Sequence, residues 1–265
     1  MAARFERRRM IEFSTVPAKD GFEWVRISLK LVRAQWLRYT ALAALFLLIT
    51  FLTAVLSAGF LTALLKPILS VGFLAAAWHH ERGGVPEVKH LFAGFKSNLK
   101  DLLLLGFVYA LGVFLVRFLA TSVTGVSLNV LASEGQAVKP EQAIEVLQYL
   151  LCTILFSLPV NAVLWFAPAL VVFSDVSFGQ ALMLSLRAWT RNVLAMTLYM
   201  TSFFGLTMLL VLATLPIGLL VGQELPTFAL LLFAVPLAAV FMVGDYVSYR
   251  RIFHRNERLT DLPLK

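Results

Sequence analysis

Long apolar runs alternate with short basic segments along this chain. A helix that crosses a bilayer needs about 20 mostly apolar residues. Between Tyr39 and Trp78 the single charged side chain is Lys66. That stretch is too long for one crossing and predicts two helices, over 39–57 and 60–78, turning near Ser57-Ala58-Gly59. Four more spans are predicted over 102–122, 147–173, 193–221 and 226–249. Pro159 and Pro168 are expected to kink the fourth span and Pro216 to bend the fifth, since proline lacks a backbone donor and crowds the preceding turn. The predicted fold class is all-α, a polytopic membrane bundle of six transmembrane helices. The alternative is one long tilted helix over 40–65 followed by a re-entrant 67–78 segment.

Basic residues weigh against that alternative. Residues 1–38 hold nine lysines and arginines, the 79–101 loop four, the 174–192 loop two and the 250–265 tail five. A six-span layout therefore places 20 of the 23 on one side. Lys139 alone falls in a loop on the other side, and Lys66 and Arg117 lie within helices. The positive-inside rule then puts both termini in the cytoplasm of a bacterial inner-membrane protein. A re-entrant 67–78 would send the four basic residues of 79–101 outward. The expected organisation is a basic cytoplasmic segment over 1–38, a membrane domain over 39–249 and a basic cytoplasmic tail over 250–265.

Composition agrees. Sixty per cent of the 265 residues are hydrophobic and 14% charged, against about 45–50% and 25% in soluble globular chains. The net charge of +8 is read as topology, with membrane lipids as partners and no nucleic acid. The single cysteine, Cys152, sits in an apolar run and excludes an intrachain disulfide or a thiolate cluster. No signal peptide is visible, because no apolar region follows the basic N-terminus until about residue 40. The first span would act as an uncleaved insertion signal.

The segments that precede the odd-numbered spans share a pattern. Gly21-Phe22-Glu23-Trp24-Val25-Arg26-Ile27-Ser28-Leu29-Lys30 reads as an amphipathic interfacial helix, with Glu23, Arg26, Lys30 and Arg33 on one face and Phe22, Val25, Leu29 and Val32 elsewhere. Leu91-Phe92-Ala93-Gly94-Phe95-Lys96 is again aromatic and basic, and Ser185-Leu186-Arg187 echoes Ser28-Leu29-Lys30. Each even span carries a proline followed by small apolar residues: Pro67-Ile68-Leu69, Pro168-Ala169-Leu170 and Pro236-Leu237-Ala238. These echoes suggest an interfacial helix plus a transmembrane hairpin, used three times. The competing explanation is convergent composition at membrane entry points. Lys139-Pro140-Glu141 suits a helix start in the 123–146 loop. Gly72-x-x-x-Ala76 and Gly218-x-x-x-Gly222 permit close helix approach and are compatible with a homo-oligomer.

Candidate chemistry is sparse. The chain has no H-E-x-x-H, G-x-S-x-G, phosphate loop or C-x-x-C, so no catalytic residue and no cofactor is implied. His79-His80-Glu81 with His90 is the one metal-like cluster. Adjacent helical residues diverge by about 100°, so no metal site is expected there. Lys66 and Arg117 break apolar runs and stand either as snorkelling cations or as a small pocket for an anionic lipid or substrate. Asp175 and Asp245 are the candidates for a proton or ion site, against an alternative in which they pair with Arg187, Arg191 or Arg250. Asn161 lies mid-membrane as an interhelical hydrogen-bonding group.

Gly21-Phe22-Glu23-Trp24, Pro67-Ile68-Leu69 with Gly72, Leu91-Phe92-Ala93-Gly94-Phe95 and Ala167-Pro168-Ala169-Leu170-Val171 together resemble a family of proteobacterial six-helix membrane proteins. The resemblance covers nearly the whole chain, and its motifs are short and apolar. More distantly the layout is similar to the membrane domain attached to some glycerophosphodiester phosphodiesterases, without their catalytic domain. The resemblance implies fold and location and no catalytic residue. The expected function is that of a non-enzymatic lipid-associated or envelope-homeostasis factor. The alternative is a small transporter for an anionic or amphiphilic solute.

Overall fold

The computed structural model describes residues 12–57, 59–126, 140–221 and 224–254. These form nine α-helices and one 3₁₀ helix, with no strand among the described residues. In order they are α1 (Asp20–Ala34), α2 (Trp36–Ser57), α3 (Phe60–Glu81), the 3₁₀ helix (Val88–Lys96), α4 (Leu99–Thr124), α5 (Pro140–Leu164), α6 (Ala167–Phe173), α7 (Phe178–Arg191), α8 (Val193–Val221) and α9 (Glu224–Phe253). Six segments are long and apolar enough to cross a membrane: α2, α3, α4, α5 with α6, α8 and α9. The 60–78 segment is part of a 22-residue helix of full spanning length.

The helices fold as three units, each an interfacial element followed by a hairpin: α1 with α2 and α3, the 3₁₀ helix with α4, α5 and α6, and α7 with α8 and α9. Each interfacial element packs chiefly on the hairpin of another unit. The 3₁₀ helix lies on α3, α7 on α5 and α6, and α1 on α8 and α9. The first unit's helix thereby closes onto the last hairpin, and the arrangement is cyclic. Ser28 and Ser185 are both fully buried, on the inward faces of α1 and α7. Ser28 donates to the Trp24 carbonyl of its own helix at 2.7 Å, whereas Ser185 bonds across to the α5–α6 break.

Small residues make these docking contacts close. A Cβ on Gly21 would collide with the backbone of Ala195 and Tyr199. Gly72 and Gly94 bring α3 and the 3₁₀ helix into backbone contact at Leu91 and Ile68. The Gly72-x-x-x-Ala76 pair therefore serves packing within the chain. Gly218 and Gly222 belong to a stretch whose side chains lie outside the described residues, as do those of Lys139, Glu141 and the basic residues of 1–11 and 255–265.

Two expectations need correction. The inward face of α1 is Trp24, Val25, Ser28 and Val32, while Phe22 and Leu29 stay exposed beside Arg26, Lys30 and Arg33. The indole of Trp24, edge-on to Tyr199, takes the inward position. The fourth span is broken rather than merely kinked. α5 stops at Leu164 and α6 restarts at Ala167 with Pro168 in its first turn. Pro168 has no N–H to continue the ladder. Ser185 Oγ stabilises the break, accepting the Phe166 N–H at 3.0 Å and donating to the Ala162 carbonyl at 3.1 Å. Pro159 lies within α5 without ending it.

Candidate functional site

Lys66 stands on α3 immediately before Pro67, in the second turn of the helix and exposed at the protein surface. Its ammonium donates to the Tyr109 hydroxyl at 2.7 Å and lies 4.4 Å from the centroid of that ring. One aromatic residue of α4 thus supplies both an acceptor and a π face to a charge that hydrocarbon would penalise. Arg117 is also on α4 and exposed, eight residues beyond Tyr109. That separation is about 12 Å along a helix axis. The two cations are therefore at different depths, and Lys66 is held by Tyr109.

Asp245 lies on α9, next to Gly244, against which the Tyr199 hydroxyl packs. Its Oδ1 is buried and has no hydrogen-bond partner among the described residues. Lys66 is near enough to act on it electrostatically. Asp175 is exposed in the 174–177 link after α6, with φ of 52° in the left-handed region. The two aspartates belong to different elements.

Arg250, one of the arginines offered for the aspartates, is engaged by Glu81 instead. Its Nη1 is 2.9 Å from Glu81 Oε2 and donates to Oε1 at 3.1 Å. Tyr246 donates to the same carboxylate at 2.7 Å. Beside this cluster Tyr39 Oη lies 3.1 Å from His80 Nδ1. The network ties α2, α3 and α9 together at the end of the bundle that carries α1, the 3₁₀ helix and α7. Sequence reading missed it. The available signal was an acid at the last position of a span and a tyrosine and arginine four apart in the last turns of another.

His79 and His90 face one another with ring centroids 5.0 Å apart, and His90 Nδ1 accepts the Glu87 N–H at 2.9 Å. Burial pushes the His90 imidazole below its usual range, while a hydrogen bond to the Glu87 backbone pulls the other way. Lys89, 2.9 Å from Glu87, holds that exposed carboxyl below its usual range. Among the described residues no group of three acids, histidines or cysteines is placed to hold a metal ion.

The second and third units meet where Trp165 touches Tyr199 and Phe241, and where Phe173 touches Tyr249. Beyond that level α5 makes almost no contact with α8 or α9 among the described residues. The spans containing α5 and α8 are each 22% buried, against 56% for α3. Asn161 lies on α5 one turn before Trp165, with its Nδ2 3.4 Å from Ser157 Oγ, within its own helix.

The chain is a multi-pass membrane protein. Comparison with protein-family models, curated proteins and solved structures gives no match for it.

Proposed function

We propose that this is a non-enzymatic, lipid-associated protein of the bacterial inner membrane with both termini in the cytoplasm. In this reading Lys66 contacts the headgroup of an anionic lipid. The observation that carries this reading is an exposed ammonium within two turns of the start of α3, stabilised by Tyr109 and adjacent to no carboxylate within ion-pair distance among the described residues. A phosphodiester would complete its coordination. The exposed Phe22, Arg26, Lys30 and Arg33 of α1 and the exposed Arg187 and Arg191 of α7 support the lipid association and, by the positive-inside rule, the orientation.

The test is native mass spectrometry of the full chain from mild detergent. The expected result is retained anionic lipid that falls several-fold on Lys66→Met, with no change on Lys30→Met. Equal lipid retention in wild type and Lys66→Met overturns the assignment. A second reading, a small transporter for an anionic or amphiphilic solute, is favoured by the buried, unpartnered Oδ1 of Asp245. It requires solute flux into proteoliposomes that Asp245→Asn abolishes while lipid retention stays intact.

A further inference from the structure

A hollow of about 420 Å³ opens at the end of the bundle that carries the Glu81 network, lined by Phe13, Arg187, Thr190 and Arg191. Arg187 and Arg191 are four apart on α7 and so share a face. Like charges at that spacing repel, yet neither guanidinium has a hydrogen-bond or ion-pair partner among the described residues. Their chain positions are fixed from below. Asn192, 2% exposed, accepts the Val16 N–H at 2.8 Å and donates to the Ser14 carbonyl at 3.1 Å and the Ala188 carbonyl at 2.9 Å. Ser14 N–H in turn donates to the Ile252 carbonyl at 2.8 Å. These bonds hold the extended 12–17 segment against α7 and α9. They set the Phe13 ring, packed on Phe253 at 6.1 Å between centroids, as a wall of the hollow. The Thr190 hydroxyl already donates within the helix, to the Leu186 carbonyl at 2.8 Å and the Arg187 carbonyl at 3.2 Å. The donors available to a ligand are therefore the two guanidiniums.

We infer that this hollow binds one phosphate-bearing anion, with Arg187 and Arg191 as its charge-assisted donors and Phe13 against the apolar part of the ligand. Paired guanidiniums match phosphate geometry, where an ammonium presents only a point charge. Two sources share that chemistry: the phosphodiester headgroup of a lipid in the adjacent leaflet, and free phosphate. The exposed Met183 and Leu186 next to Arg187 would place acyl chains beside the hollow. This inference does not use Lys66, and it stands or falls separately from it.

The experiment uses the full chain in neutral detergent micelles. The probes are short-chain phosphatidylglycerol, short-chain phosphatidylcholine and inorganic phosphate, followed by isothermal calorimetry. Saturable binding of phosphatidylglycerol to wild type is expected, weakened about ten-fold or more in R187Q/R191Q. The control K30Q/R33Q removes two exposed cations of α1 and is expected to bind as wild type. R191K keeps the charge without the planar fork and is expected to fall between. Competition by inorganic phosphate assigns the site to the phosphate group in either source, and binding of the lipid alone assigns it to the headgroup. Equal weakening in the two double variants would reduce the effect to surface charge and overturn the site, as would binding of neither probe. If R187Q/R191Q fails to elute as a single species, R191K against wild type decides the question.

Discussion

Glu81 and Arg250 form a part-buried ion pair that joins the first unit to the third. Both side chains are largely shielded, at 14% and 24% exposure, and Tyr246 shares the carboxylate. Removing one partner strands the other charge, a cost on the order of 3 kcal/mol. Glu81→Ala should therefore lower the thermal unfolding midpoint in detergent markedly. Replacing both residues, as Glu81→Leu with Arg250→Met, should recover most of that loss, because an apolar pair leaves no uncompensated charge. A double variant no more stable than Glu81→Ala would show that the pair does not bind α3 to α9.

Backbone contact between α3 and the 3₁₀ helix makes a second prediction. A methyl at Gly94 would meet the Ile68 carbonyl, whereas one at Gly205 meets nothing within 4 Å. Gly94→Ala should destabilise by about 1–3 kcal/mol through overpacking. Gly205→Ala should be neutral or stabilising by up to about 1 kcal/mol, since alanine is the better helix former. The comparison is made by thermal unfolding of both variants in the same detergent. Similar midpoints would remove the argument that the 3₁₀ helix docks through its glycine.

Much of the bundle was legible in the sequence because bilayer physics writes it in long apolar runs. The six spans follow from those runs and from the bases between them, and α8 coincides with the predicted 193–221 segment. The repeat was legible too, in the matched serines of Ser28-Leu29-Lys30 and Ser185-Leu186-Arg187. What periodicity could not give was the partner of each inward face. Trp24 and Leu29 are both apolar, and only packing on α8 and α9 sends the first inward and leaves the second exposed. The break before α6 was half legible in Pro168, but Ser185, which satisfies the freed backbone, comes 19 residues later on another helix. Lys66 stands out because charge is rare in apolar runs. Tyr109 does not, because a tyrosine in such a run looks like any other aromatic until its hydroxyl is placed at 2.7 Å. Glu81 sits among histidines in the sequence, and nothing local points to Arg250.

The His90 imidazole makes stability depend on pH. Burial holds it below its usual value of 6.5 in the folded chain. A group whose folded value is depressed binds more protons when unfolded, so stability rises with pH between the two values. The contribution is complete above 6.5 and is lost as pH falls through the lowered folded value. Unfolding midpoints should accordingly drop on mild acidification of wild type, and the drop should shrink in His90→Gln. An identical pH profile in that variant would remove His90 as the group responsible.

Asn192 is the residue through which the extended 12–17 segment is fastened, and its loss should be felt there first. Three hydrogen bonds converge on its side chain: one from Val16, one to Ser14 and one to Ala188. Asn192→Ala leaves the Val16 N–H buried without a partner, and a buried unsatisfied donor costs about 1–3 kcal/mol. The membrane spans keep all their contacts, so the loss should appear as local release rather than as unfolding of the bundle. Limited proteolysis should cut Asn192→Ala within 12–17 faster than wild type while the spans resist equally. Asn192→Asp distinguishes the two bonding roles. Its carboxylate still accepts from Val16 but cannot donate to Ser14, so cleavage should be intermediate. Unchanged cleavage in Asn192→Ala would mean that the Ser14–Ile252 bond and the Phe13–Phe253 contact suffice to hold the segment.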